Sequence, residues 1–482
     1  MSAYKHGTYG TIGKTLGASA RLTQMVACII GLAPIHLVRG YAGKGLVNKP
    51  VKLTSYKQAV ETIGSTDDWG KFTLCESVEA HLNNPLGSVA PLYIINVFNP
   101  DTMRSSTAQT QQLTFINGRA EFASRDIILD TFAIADCAEG TDYALDYDFT
   151  AGKVIVTALS ELSTVNATYY EADTSSVDAA TIVGGVTSGG VYSGIGALEL
   201  LNNDEHCHAS LLAAPGYSHI PAVYNALVNA CQQMNGHWMA YCFIDLPLTN
   251  NDTIAKAIAA KAAGGYTSEY CTPCWPMVQD AQGRAFHLST LSVWAQLLAA
   301  ESHGGVPFET ASNKAIPAVK LYFGDGVSHA GYDKERGNEL NEHGIRTAVP
   351  SDGGFVLWGG HTGAYEYGVT DDARQVFDTN VLMVNYIVNS FQEEWGSTID
   401  QPLTLQLKDE IVNREQDKLD ALAARGALIG KPRVTFSATE NSTAQMVNGD
   451  FTFEHIATPT PQLKSATAVV HYSDDGFSVY TA

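Results

Sequence analysis

The sequence predicts an α/β core, a mixed sheet flanked by helices, with an inserted all-β domain and extended N- and C-terminal arms. Three observations predict it. Short continuous apolar runs alternate with segments of helical period from Gln24 to Pro100, and again from Ala209 onward, the pattern of buried strands covered by helices. Between them, residues 113–172 carry strand-like runs and turn signals only. At the ends, residues 1–20 are Gly- and Thr-rich without helical period, and the β-branched, aromatic run Ser465–Tyr472 lies almost at the chain end. A strand there has no sequence-adjacent partner beyond it, so its free edge needs covering by something else.

At 482 residues the chain exceeds what one hydrophobic core supports, and 45% hydrophobic content is ample for packed cores. A formal net charge of −21 argues against a nucleic-acid groove and against docking on an anionic membrane. The run Met25–Val38 is too short to span a bilayer and contains Pro34 and His36, so it reads as a buried strand and a turn. The eight cysteines sit mostly inside apolar runs with no secretory signal ahead of them, which predicts reduced, buried thiols in a soluble protein made in a reducing cytoplasm.

Five segments follow in order: an N-terminal arm (1–20), a first part of the core (21–104), the inserted β domain (105–175), a second part of the core (176–463), and a C-terminal strand and arm (464–482). In the first part Met25–Leu32 and Leu92–Val97 read as buried strands, and Ser55–Ile63 and Leu74–Leu82 as helices; Asp67-Asp68-Trp69 is a polar loop with one anchor. Residues 101–112, rich in Ser, Thr and Gln, read as a linker. Asn117-Gly118 between two apolar runs then predicts a tight hairpin, because a type I′ turn needs positive φ at both central residues. Tyr143–Tyr147, Lys153–Ala158 and Asn166–Glu171 continue the strands. The Gly-rich residues 176–200 mark the return to the core, where Ala209–Ala214, Ala222–Gln233, Trp238–Asp245, Thr253–Ala263, Pro273–Val278 and Thr290–Ala300 alternate strand and helix. In Ala222–Gln233 the spacing buries Tyr224, Leu227, Val228 and Cys231 and leaves Asn225, Asn229 and Gln233 wet. The last third begins with an apolar strand closed by glycines (354–362). Two amphipathic helices over Asp372–Trp395 and Leu403–Leu428 follow, then β-like runs at Arg433–Ala438, Asp450–Ile456 and Ser465–Tyr472.

Candidate chemistry is sparse. Gly13-Lys14-Thr15 lacks the glycine a phosphate-binding loop needs five residues earlier, since position 8 is threonine, so it reads as part of the arm. Asp245 ends a predicted strand where α/β enzymes place catalytic groups, yet the chain has no Gly-x-Ser-x-Gly elbow, and capping of the turn into Pro247 is the plainer reading. Cys271 and Cys274 have metal-ligand spacing with His206, Cys207 and His208 as partners. No second pair exists, however, and in an extended run His206 and His208 would face away from Cys207. The acidic insertion lacks the Asp-x-Asp-x-Asp-Gly spacing of a calcium loop. The reading is therefore no catalytic residue, no cofactor and no metal. The charged helix around Lys408, Glu410, Arg414 and Lys418 reads equally as a solvated face, with Glu410–Arg414 an i,i+4 pair, and as a charged contact surface.

The order of the pieces resembles the contractile tail sheath proteins of phages and phage-tail-like particles. The landmarks are Asn48-Lys-Pro-Val-Lys-Leu-Thr-Ser-Tyr, Thr141-Asp-Tyr and Tyr147-Asp-Phe-Thr-Ala-Gly in the insertion, Leu212-Ala-Ala-Pro-Gly, Phe243-Ile-Asp-Leu-Pro, the Pro307 to Asn313 region and Phe355-Val-Leu-Trp-Gly. The resemblance implies a non-enzymatic structural subunit of a helical homo-polymer around an inner tail tube protein, with baseplate and tail terminator proteins as further partners. It implies no nucleic acid and no membrane insertion, and assembly in the host cytoplasm into a virion tail or tail-like particle. It also implies intersubunit strands at Tyr4, Gly7, Tyr9 and Ile12 and at Ala468, Val469, Val470 and Tyr472, and tube contacts at Lys408, Glu410, Arg414 and Lys418. The competing readings are an α/β hydrolase or transferase with an accessory β domain, resting on Asp245 and the Cys–His cluster, and a static capsid or surface-layer protein.

Overall fold

Continuous apolar runs become the interior of one parallel sheet, because a strand covered by helices on both faces has no wet side on which to place polar residues. The computed structural model describes residues 25–324, 327 and 331–480; Tyr4, Gly7, Tyr9, Ile12 and the Gly13-Lys14-Thr15 stretch lie outside them. The first part supplies β1 (Ala27–Gly31), β2 (Pro50–Leu53), α1 (Tyr56–Ile63), α2 (Leu74–Leu82) and β3 (Leu92–Asn96). A β-rich segment follows: β4 (Gln109–Thr114), β5 (Arg119–Ala123), β6 (Ala133–Ile134), β7 (Tyr143–Asp148), β8 (Lys153–Ala158) and β9 (Thr164–Tyr169). The chain then returns through β10 (Leu211–Ala213), α3 (Pro221–Gln233), β11 (Tyr241–Asp245), α4 (Ile254–Gly264), β12 (Cys271–Cys274) and α5 (Leu288–Ser302). It closes with β13 (Thr347–Ser351), β14 (Gly354–Trp358), α6 (Asp378–Trp395), α7 (Leu405–Ala424), β15 (Leu428–Thr435) and β16 (Glu454–Pro459).

The central sheet has the order β12-β11-β10-β1-β3-β2, parallel throughout except for antiparallel β2. Every residue of β1, β3, β10, β11 and β12 is buried. Helix α3 buries Tyr224, Leu227, Val228 and Cys231 and exposes Asn225, Asn229 and Gln233, as the helical period requires. All eight cysteines are free thiols. Among the described residues no helix is long and apolar enough to cross a membrane.

Residues 109–169 form two three-stranded sheets, β4-β9-β6 and β5-β8-β7. They enclose a separate core that includes Leu113, Phe132, Tyr143, Val154, Val156 and Tyr169, with Leu37 of the first part packed against it. The Asn117-Gly118 turn forms with both φ angles positive, 53° and 77°. The strands it joins then diverge into different sheets rather than pairing as a hairpin, because β9 and β8 each capture one of them. Residues 109–112, read from sequence as linker, are strand. The segment leaves and re-enters the core at adjacent points, where the Ser105 amide donates to the Glu171 carbonyl (2.8 Å) and the Asp173 amide to that of Met103 (3.0 Å).

The last third attaches through a buried ion pair. Arg346 continues the central sheet past β12: its amide donates to the Pro273 carbonyl (2.8 Å) and its carbonyl accepts from Trp275 (2.9 Å). Its guanidinium, with no exposed surface, reaches Asp378 at the start of α6 (2.5 Å) and the Gly359 carbonyl (2.7 Å). Burial pushes the Asp378 carboxyl upward, opposed by Arg346 and Thr310. Removing one partner strands a charge in the interior, which costs about 3–5 kcal/mol, whereas replacing both with apolar groups is far milder. Asp378→Ala should therefore lower the unfolding free energy in urea by that amount. The double variant R346M/D378L should recover most of the loss.

Candidate assembly interface

Helices α6 and α7 pack as a platform with their own core, in which Met383, Tyr386, Ile387, Leu419, Leu422, Leu428 and Val434 meet. Leu428, placed by sequence at the end of the second helix, lies instead in β15: Gly426 at φ 80° ends the helical turn two residues earlier. Strands β15 and β16 form an antiparallel hairpin on the platform, with Arg433 opposite Ile456 and Thr435 opposite Glu454. Both begin later or earlier than the sequence runs predict, and the connection between them carries a short capped helix, Thr443–Asn448.

A buried carboxylate fixes hairpin to platform. Glu415 accepts from the indole of Trp395 (2.6 Å), the ammonium of Lys418 (2.8 Å) and the imidazole of His455 (3.3 Å) on β16. Burial alone would raise its pKa, and these bonds outweigh it, holding the group below the usual carboxylate range. Glu394 pairs with both Arg414 and Lys418, and Arg414 also pairs with Glu410 and lies 5.1 Å over the Trp395 ring. Lys408 pairs with Asp409 and lies 5.9 Å from the Phe436 ring centre. Internal partners thus engage all four of the charged candidates.

Beyond β16 the chain is pinned and then released. Thr460 donates its amide to the Ala427 carbonyl (3.1 Å), and the Gln462 side chain donates to the Phe308 carbonyl (2.8 Å) and Thr379 (2.9 Å). Lys464 still reaches the rings of Tyr365 (5.8 Å) and Tyr367 (5.6 Å), and from Ser465 onward every described residue is exposed. Ser465–Tyr472, predicted as a strand, pairs with nothing among the described residues and is coil, because strand geometry needs a neighbouring ladder that this copy does not offer. Leu463, Val469, Val470 and Tyr472 are 73–88% exposed.

No protein-family model matches the chain. Over 96% of its own length and 96% of the other's, it is 28% identical to the tail sheath protein of Burkholderia phage BcepMu. It is 23% identical to the major tail sheath protein of Serratia phage KSP20, over 61% of this chain and 71% of that one. Both of these relatives are tail sheath proteins by name, and the similarity to the first runs from end to end. Its mixed α/β fold matches a chain of the anti-feeding prophage baseplate with a TM-score of 0.56 at 13% identity, covering 98% of this chain and 99% of that one. It matches the contracted sheath complex of the extracellular contractile injection system PVC with a TM-score of 0.53 at 11% identity, covering 98% and 100%.

The other sequence candidates are packing elements. Asp245 does not cap the turn into Pro247; its carboxylate accepts from the Ser289 amide (3.0 Å) and so caps the first turn of α5 from the neighbouring strand. The crevice between the carboxyl ends of β1 and β10, where sheets of this kind bind ligands, is filled by Thr73: a Cβ on Gly31 would stand 2.4 Å from its hydroxyl, and one on Gly216 3.0 Å from its methyl. Cys271 and Cys274 are buried within β12. His206 has φ 53°, so the His206-Cys207-His208 run is not extended, and His208 stacks on Trp238 (4.5 Å) instead. Among the described residues no three His, Cys, Asp or Glu side chains converge as a metal site.

Sequence reading missed a polar contact that, beside the β1–β10 pairing, joins the two parts of the core. His287, 16% exposed, bonds Glu76 of α2 (3.0 Å), and Thr290 donates to the same carboxylate (2.6 Å). Burial pulls the imidazole pKa down; the Glu76 charge and hydrogen bond, with Asp245 behind them, overcome it and lift the pKa to about 9. A folded-state pKa above the unfolded value of about 6.5 means that this stabilisation is complete below pH 6.5 and is lost as pH rises through 9. The unfolding free energy should fall across that window by about 3 kcal/mol. Glu76→Gln should flatten the fall in a pH series of urea melts.

Proposed function

We propose that this chain is the repeating subunit of a helical contractile sheath, which surrounds a rigid inner tube and contracts to drive it through a cell envelope. The observation that carries the reading is the end-to-end similarity to a phage tail sheath protein, 96% of both chains. The exposed apolar tail supports it, since a folded chain leaves such a segment bare only where a partner covers it. Donor tail and acceptor surface are different parts of the subunit, so the contact is heterologous and repeats into rings or helices. The partners are further copies of itself, the inner tail tube protein, and baseplate and terminator proteins at the two ends. Assembly takes place in the host cytoplasm, in a phage tail or tail-like particle, and the chain's role there is mechanical rather than catalytic.

Ala468, Val469, Val470 and Tyr472 form the linking strand, with Tyr4, Gly7, Tyr9 and Ile12 as a second one from the N-terminal arm. Of the tube-contact candidates, Lys408 and Glu410 keep the freer charges, because Glu394 and Glu415 share Lys418 and Glu394 also holds Arg414. Residues 105–175 act as a separable domain.

Each ladder bond in an added strand is worth roughly 0.5–1.5 kcal/mol net. Val469→Pro removes a donor and fixes φ, so it should abolish tubes in electron micrographs while the circular dichroism spectrum stays that of the parent. Normal tubes would show that 465–472 is not a linking strand.

Replacing 105–175 with a short Gly/Ser linker joins ends that already lie side by side, and should leave a cooperative melt. A modest drop in Tm is expected from exposing Leu37. Loss of soluble expression would show that these strands belong to the main core.

A further inference from the structure

We propose that Gln416 selects which edge of the hairpin accepts another chain, by occupying the β15 edge in place of a strand. The proposal rests on the reading that copies are joined by strand addition, and goes beyond it in naming the edge, the plug and the occupant. The Gln416 side-chain amide donates to the Pro432 carbonyl (3.1 Å) and accepts from the Val434 amide (3.0 Å). One donor and one acceptor spaced two residues apart are what a neighbouring strand's backbone would offer, so the side chain stands in for a strand. Helix α7 runs alongside β15 and holds the amide there, with a further bond from Gln416 to Asp420 (2.9 Å).

The same bond fixes the phase of the ladder. The Val434 amide points away from β16, so Val434 and its opposite residue His455 form a non-hydrogen-bonded pair. His455 and, two residues on, Ala457 therefore turn their amides and carbonyls outward along the β16 edge. Among the described residues no strand pairs with that edge, and no side chain bridges it as Gln416 bridges β15. β16 is thus the open edge.

The occupant is the segment 465–472 of a second copy. The chain's own tail leaves from the end of β16, and the bonds of Thr460 to Ala427 and of Gln462 to Phe308 and Thr379 carry it onto the platform, away from a hairpin return along β16. Pro459 and Pro461 flank that exit, where a tight two-residue turn would need Asn or Gly. The released segment is β-branched and exposed, and its eight residues exceed the six of β16.

The test compares full-length assembled and dissociated protein by hydrogen exchange with mass spectrometry, alongside two variants. Assembly should slow two amides in 454–459, those of His455 and Ala457, together with amides in 465–472, and leave 432–435 unchanged. Ala457→Pro removes an outward donor and should lose tubes with its melt intact. Gln416→Ala should still form tubes, while its Val434 amide becomes fast in the dissociated chain. New protection at 432–435, tubes from A457P, loss of tubes in Q416A, or a Val434 amide that stays slow in Q416A would each overturn the assignment of edge and plug. Protection at 454–459 without protection at 465–472 would overturn the occupant. If neither segment gains protection, strand addition itself falls, which separates that failure from the choice of a wrong edge.

Discussion

The buried Arg346–Asp378 pair is the joint on which the arrangement of this chain depends. Arg346 belongs to the central sheet by its backbone, and Asp378 is the first residue of the helix that carries the platform. Apolar packing alone would bind helix to sheet with many near-equivalent positions, since dispersion and burial have little direction. A guanidinium held by the Gly359 carbonyl and Asp378, lying 5.0 Å from the Phe243 ring centre, admits one position. Such a pair adds little net stability compared with an apolar substitute, so its value here is positional. For the proposed role, in which the hairpin presents an edge to a neighbour, position is what matters.

The same logic recurs one step further out. Glu415 draws Trp395 from α6, Lys418 from its own helix and His455 from β16 onto one carboxylate, so hairpin and platform move as a unit. The side chains on the outer face of α7 are therefore largely committed before any partner arrives. A residue such as Lys418 that serves two internal carboxylates has less to give any partner than its charge implies, because a new partner must compete with both.

How much of this was legible in the sequence depends on the range of the forces involved. Buried strands and the faces of α3 and α6 follow from local period, and Tyr224, Leu227, Leu382 and Met383 are buried where the spacing puts them. Element ends were less legible: the apolar period of the second helix runs on through Leu428, and the signal that stops it is the single residue Gly426. The divergence of β4 and β5 was invisible, since the turn between them is that of a hairpin and only β8 and β9 decide otherwise. Polar pairs far apart in sequence, such as Glu76 with His287 and Arg346 with Asp378, leave no spacing to read. Gln416 is the extreme case, because an amide on a charged helix is the ordinary mark of a solvated face. The run 465–472 reads as a strand from its β-branched composition and is coil in the single chain, where no ladder among the described residues receives it.

An open β edge beside a free β-branched tail is a hazard, because either can pair with any exposed strand. Plugging one edge halves the ways two copies can meet. With β15 closed, the proposed addition extends the sheet only outward from β16, and a donated tail strand would become its new edge. A second linking strand, such as one from the N-terminal arm, has then one backbone ladder left to join, that of the tail already docked. On the proposed edge assignment an order of addition follows: the tail binds first, and a second linking strand binds only where two copies have already met. A lattice built on such a sequence ties each hairpin to more than one neighbour through main-chain bonds, and those bonds hold while the segments leading to them bend.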